Sequence, residues 1–413
     1  MNNLITIDGK TFPLIYPDAD KDDENKKASF IQGNNDIPID KLSKYYLNEN
    51  LNLLCGSGTS ALIGGKTINI ASNPFADIID NLKINPKPPD YIRNIILYLE
   101  SNDFLERKFD KINQEYLYFQ NNKNDARAAL AIKEILKLIL QKFVNDFIPF
   151  PIDYIKDKLI IHELLINKII SRKDTLSRPK IFTPNYDLAF ENACERIGVS
   201  YNNGFRGVHM RKYDPDTFHN ETYIKQDTTD RSERISTYLN IYKLHGSISW
   251  QYSDNLDDIY NLKEIQISDT FKKEDFKIDS LMIYPIQTKK SYSLDLPYSE
   301  MFRNFSKSLT EKQNTLVTIG YSFLDEHIND IIKTGLYNPN LTLLIHSYSL
   351  INASSPPFLQ TLKERSISDH RIILFEGELV GSFNNVVRYL IPLSSHIQQK
   401  DEIIETLKKL IKK

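Results

Sequence analysis

Only two cysteines, Cys55 and Cys194, occur among the 413 residues, too few for a four-thiolate zinc site or a disulfide framework. That excludes a stapled secreted scaffold and points to a reducing, intracellular setting. An excess of one charge is missing as well: 52 basic against 54 acidic residues leave a formal net charge of -2, so no global field draws the chain to nucleic acid. There is no apolar run of about 18 residues or more and no basic start followed by an apolar stretch, which leaves a cytoplasmic protein without a membrane segment as the expectation. Internal repeats and low-complexity tracts are absent too. What remains is an ordinary globular composition, 41% hydrophobic and 26% charged, richer in apolar residues than disordered chains are. The length suffices for one large domain or two ordinary ones.

Along the chain, short apolar runs stop abruptly at small or polar residues. Leu51–Cys55 ends at Gly56-Ser57-Gly58-Thr59-Ser60 and is followed by apolar Ala61-Leu62-Ile63, which reads as strand, glycine turn, helix. Lys180–Thr183 ends at Pro184-Asn185-Tyr186-Asp187, and Leu188–Ile197 resumes a helical period. Ile241–Leu244 leads into His245-Gly246-Ser247, Leu281–Tyr284 into Pro285, Thr315–Ile319 into Gly320-Tyr321-Ser322, and Leu341–Ile345 into His346-Ser347. Strands alternating with helices predict a doubly wound, mostly parallel α/β sheet, in which ligands sit at the carboxyl ends of the strands. Residues 74–176 carry few glycines and long helical spacing; in Ala126–Phe147 the side chains Ala129, Ile132, Ile135, Leu136, Ile139 and Phe143 share one face. This stretch predicts a helical insertion. The charged stretch Asp18–Lys27 reads as a solvated loop of an N-terminal extension over residues 1–47, and Gln398–Lys413 as an amphipathic, lysine-rich end helix.

Taken singly, each strand-end motif has a plainer reading than catalysis. The glycine loop lets a backbone approach a pyrophosphate, with the following helix offering N–H groups to the negative charge, but it also serves as a tight turn. Asn185 or Asp187 could cap the next helix, and Asp325 the helix after Gly320. His245 beside Gly246 has room to exchange a proton near neutral pH, although a lone histidine at a strand end is more often structural. Ser60–Thr67 spells S-A-L-I-G-G-K-T, close to an ATPase phosphate loop, but its first glycine is replaced by Ser60 and no apolar strand ends in adjacent acids to hold magnesium.

In this order the motifs resemble the sirtuin family. LLCGSGTS is similar to its glycine-rich NAD loop, IFTPNYD to its asparagine-aspartate motif, YKLHGSISW to its catalytic histidine segment, and TIGYSFLDEHIN to its late ribose-binding strand and turn. The resemblance runs from residue 51 to residue 350, interrupted by the insertion, and TPNYD, KLHGS and GYSFLDEHI resemble most the divergent sirtuin-like proteins of bacterial antiviral defence. It implies a Rossmann-like α/β fold over residues 48–395 with no zinc module and no metal. It implies NAD as substrate, contacted by Gly56, Ser57, Gly58, Thr59 and Ser60 at the phosphates and by Gly320 and Ser322 at the adenosine half. Asn185 and Asp187 would hold the nicotinamide ribose and the attacking water, and His245 would move the proton. The implied activity is NAD hydrolysis to nicotinamide and ADP-ribose, or a cyclised form, as an effector of anti-phage defence. The implied assembly is a homo-oligomer, with a HerA-type ATPase as the preferred partner and no direct nucleic-acid contact. Two other readings stay open on the sequence: a sensor that binds NAD or ADP-ribose without cleaving it, and an NAD-dependent protein deacylase or ADP-ribosyltransferase, weakened by the missing zinc cysteines. A scaffold role for the insertion and the end helix is a third.

Overall fold

Period-two alternation builds the centre of the molecule. In Asn50–Cys55 (β5), Leu51, Leu53 and Cys55 enter one core cluster while Leu54 enters another, and all six positions are buried. Asn314–Ile319 (β15) behaves likewise, with Val317 and Ile319 on one side and Leu316 on the other. Strands buried on both faces read as near-continuous apolar runs because helices cover both sides of a parallel sheet.

The computed structural model describes residues 3–15, 29–32, 35–38, 42–66, 73–101, 105–121, 125–154, 157–173, 175–221, 223–225, 232–235, 237–252, 260–268, 270–271, 273 and 296–392. Beside β5 lie Lys180–Thr183 (β6), then Tyr238–Lys243 (β12) and Ser200–Asn202 (β7). On its other side lie β15, Leu341–Ser347 (β16) and Ile372–Glu376 (β17). All of these pair in parallel, in the order β17-β16-β15-β5-β6-β12-β7. Leu4–Ile7 (β1) then pairs antiparallel with β17, and Lys10–Ile15 (β2) with β1; Ser29–Gln32 (β3) and Asn35–Pro38 (β4) continue that edge. The fold is thus a Rossmann-like, mostly parallel α/β sheet.

Part of the predicted N-terminal extension is therefore sheet. Asp8 and Gly9 both adopt positive φ, 51° and 73°, the backbone that a two-residue hairpin turn between twisted strands requires. The charged stretch Asp18–Lys27, the Leu281–Tyr284 run with Pro285 and the end helix Gln398–Lys413 lie outside the described residues.

From β5 the chain goes out to β6 through the helices Ala76–Lys83, Asp90–Glu100, Leu105–Asn121 and Ala126–Phe147, which form a cluster of their own around Ile132, Leu136 and Phe143, and then through Ile160–Ile170, which packs into the core of the central sheet. All six residues assigned to the apolar face of Ala126–Phe147 are buried. The chain then reaches β12 and returns to β15, on the opposite side of β5. Reversal of winding between β5 and β15 opens a crevice at their carboxyl ends, where doubly wound sheets bind ligands. Beyond β7, short antiparallel strands Phe205–Arg206 (β8), Arg211–Tyr213 (β9), Trp250–Tyr252 (β13) and Leu262–Glu264 (β14) form a small second sheet, and Tyr223–Lys225 (β10) pairs with Ser232–Arg234 (β11).

Candidate functional site

Four of the sequence motifs follow the neighbouring strands β15, β5, β6 and β12, so the sheet itself brings Gly320, Gly56–Ser60, Asn185–Asp187 and His245 to one edge. Two of these loops meet backbone to backbone. The Gly58 N–H donates to Gly320 O at 3.0 Å, and a Cβ on either glycine would stand 2.7 Å from the other's Cα. Gly320 also holds φ at +62°, which side chains rarely adopt. Loop-on-loop packing thus accounts for both glycines.

The α-helix expected directly after the glycine loop is not there. Two 3₁₀ turns, Ser57–Thr59 and Ala61–Ile63, follow β5 and stop at Gly64, whose φ is +97°. The N–H groups of Thr59 and Ser60 turn back to Gly56 O and Ser57 O, so no helix N-terminus supplies an anion site here. Nor do the Thr59 and Ser60 hydroxyls face outward: Thr59 Oγ1 donates to Gly56 O at 2.8 Å and Ser60 Oγ to Asp187 Oδ2 at 2.5 Å. Ser57 and Ser322 are exposed and Gly58 and Gly320 half-buried, and these four form the open part of the crevice.

Asn185 is the centre of the closed part. Its Nδ2 donates to Gly56 O at 2.9 Å and Ser60 Oγ at 2.9 Å, and lies 3.2 Å from Thr59 Oγ1. Asp187 is 3% exposed; besides Ser60 it accepts the Ala189 N–H at 3.1 Å, while the N-cap position of the helix Ala189–Arg196 is taken by Leu188 and not by Asn185 or Asp187. Beneath both residues Lys243, 1% exposed, donates from Nζ to the carbonyl oxygens of Asn185 and Asp187 and pairs with Glu191 Oε1 at 3.4 Å. Burial pushes the Glu191 carboxyl above its ordinary range, and the Lys243 charge opposes that rise.

His245 stands at the other side, with Nε2 2.8 Å from Asp325 Oδ2 and the two side chains 10% and 17% exposed. Asp325 Oδ1 meanwhile accepts from the His327 and Ile328 N–H groups, capping the helix Glu326–Gly335. The rings of Tyr186 and Phe302 flank the imidazole, each with its centroid 6.4 Å away. The pair sets an imidazole and a carboxylate side by side just past the carboxyl end of β12.

Sequence reasoning saw Asp325 only as a cap and passed over Lys243 and Glu191. A charged residue inside the apolar run Ile241-Tyr242-Lys243-Leu244 was a readable sign of a buried partner, since lone charges are not left in cores. Burial raises the thiols of Cys55 and Cys194, and among the described residues no cluster of histidine, cysteine, aspartate and glutamate could hold a metal. No described helix is long and apolar enough to cross a membrane.

A comparison with curated proteins finds no match. The family model of the SIR2-like domain matches residues 179–369, a stretch from β6 to the end of the helix before β17 that contains Asn185, Asp187, His245, Gly320 and Ser322 and leaves out the glycine loop. This match supports a sirtuin-like protein with an NAD-related activity.

Proposed function

We propose that this protein cleaves NAD at the nicotinamide glycosidic bond, releasing nicotinamide and ADP-ribose. The observation that carries the reading is the Asp325–His245 pair, at 2.8 Å, set at the end of β12 beside the Asn185 loop and the switch-point crevice. A pure sensor needs no oriented imidazole, and this favours cleavage over binding alone.

In this reading the pyrophosphate lies along Ser57 and Gly58, where small residues let the backbone come close, and Ser322 meets the adenosine half. Nicotinamide is a cationic leaving group, so the reaction needs little acid help and chiefly requires support for the sugar cation that develops as the bond breaks. Asn185 and Asp187 border that position. His245 takes the proton of the attacking water or of a ribose hydroxyl, a contribution of roughly 10²–10⁴-fold. The Asp325 carboxylate, 2.8 Å from Nε2, offsets the charge that the ring acquires.

An effector role in antiviral defence through NAD depletion, homo-oligomer formation and a HerA-type ATPase partner are proposed with it, on the strength of the motif resemblance. Chromatography of nicotinamide release from the purified chain, alone and with a candidate ATPase, tests the reaction. Release that disappears in His245→Ala is the expected result; NAD that is bound yet never cleaved would leave the sensor reading in its place.

A further inference from the structure

Away from the crevice, a cavity of about 790 Å³ opens between the helix Ala189–Arg196, the residues Pro151, Tyr154 and Leu159, and β14 with its following residues. None of Gly56–Ser60, Asn185, Asp187, His245, Gly320 and Ser322 lines it. Its walls combine apolar Leu159, Leu188, Ile265 and Ile267 with carboxylates. Glu191 and Glu195, one helical turn apart, share one wall, and Glu264 stands in another.

Arg211, Arg196 and Lys243 are already engaged. Arg211 Nε lies 2.8 Å from Glu264, Arg196 Nε lies 2.8 Å from Glu163, and Lys243 pairs with one oxygen of Glu191. Glu191 is 4% exposed and its other oxygen, Oε2, is buried without a hydrogen-bond partner. A buried acceptor left unmade costs about 1–3 kcal/mol, more when charged. The same wall is negative in its effect on neighbours: burial first, then Glu191, Glu195 and Glu264, push the Tyr201 hydroxyl upward. Glu264 is raised to about 7 by burial, against the opposing Arg211 charge.

We propose that this cavity is a second ligand site, for a small organic cation with an amidinium, guanidinium or amine head directed at Glu191 and Glu195 and an apolar body against Leu188, Ile265 and Ile267. Such a ligand would sit one side chain away from Lys243, and its binding does not depend on NAD cleavage.

Benzamidine serves as the probe, titrated into the full chain by calorimetry, with the uncharged amide benzamide as its control. Saturable one-to-one binding is expected, weakened at least about tenfold for benzamide and in Glu191→Gln, and unchanged in His245→Ala. Because Glu191→Gln also disturbs Lys243, Glu195→Gln at the exposed rim is measured beside it and should weaken binding several-fold in a folded protein. Absence of saturation up to about 10 mM benzamidine, equal affinity for benzamide, or full affinity in both glutamate variants would overturn the assignment.

Discussion

Asp325 serves two elements at once: Oδ2 lies 2.8 Å from His245 Nε2 while Oδ1 caps the helix Glu326–Gly335. One carboxylate therefore ties the end of β12 to the start of the helix that follows β15. The two roles are separable by mutation, because asparagine caps a helix about as well as aspartate but carries no charge for an imidazolium.

Asp325→Asn should keep the thermal stability of the parent and lose about 10²-fold or more in nicotinamide release. Asp325→Ala should lose the same activity and, in addition, about 1 kcal/mol of stability for the missing cap. Parallel melting curves and release assays check both. Unchanged turnover in a folded Asp325→Asn would show that the Asp325 charge does not support the reaction.

The Gly58–Gly320 contact yields a stability prediction. A Cβ on Gly58 meets the Gly320 Cα at 2.7 Å, so Gly58→Ala forces two backbones apart and should cost about 1–3 kcal/mol, as overpacking does. Gly320→Ala adds the strain of its φ of +62° and should cost more. Urea titration ranks the two; equal stability of parent and Gly58→Ala would mean that the loops are not packed as described.

How much of this could be read from the sequence depends on range. The runs that became β5, β6, β12, β15 and β16 were legible, because parallel strands buried on both faces are short, apolar and end at small residues. The buried face of Ala126–Phe147 was legible for the same local reason. The β1–β2 hairpin was passed over although Asp8-Gly9 is a strong short-range turn signal; the neighbouring charged stretch drew the reading toward a surface extension. At the site, residue types showed that Asn185, Asp187 and His245 stand at strand ends, but not what they touch. The Ser60–Asp187 bond spans 127 residues of sequence and Asp325–His245 another long separation, and such pairings are set by strand order alone. The missing helix after Gly58 has a local cause in Gly64 and Gly65, which the phosphate-loop comparison treated as motif letters and not as helix breakers.

The buried pair Lys243–Glu191 should show strong coupling. Lys243→Met leaves Glu191 without its cation and frees the carbonyls of Asn185 and Asp187, an expected loss of about 3–5 kcal/mol. Adding Glu191→Leu should recover a large part of that loss, since well-packed apolar replacements of a buried pair are often neutral. A double-mutant cycle by chemical denaturation gives the coupling; strictly additive losses would show that the pair does not act as one unit.

Acid sensitivity follows from two buried histidines. Burial lowers His162 to about 4, with the Asp187 charge opposing, and lowers His346 to about 4, with its bond to the Val380 carbonyl opposing. An unfolded histidine titrates near 6.5, so between these values the unfolded chain binds protons that the folded chain refuses. Stability contributed by both groups is then fully present above about pH 6.5 and is lost as pH falls toward 4, by up to roughly 3 kcal/mol each. His346 stacks on Phe375 with ring centroids 4.4 Å apart, so His346→Phe keeps a ring in that place while removing its proton site. Its melting temperature should fall less steeply than the parent's between pH 6.5 and 4; identical slopes would show that the ring is already charged, or already exposed, in the folded state.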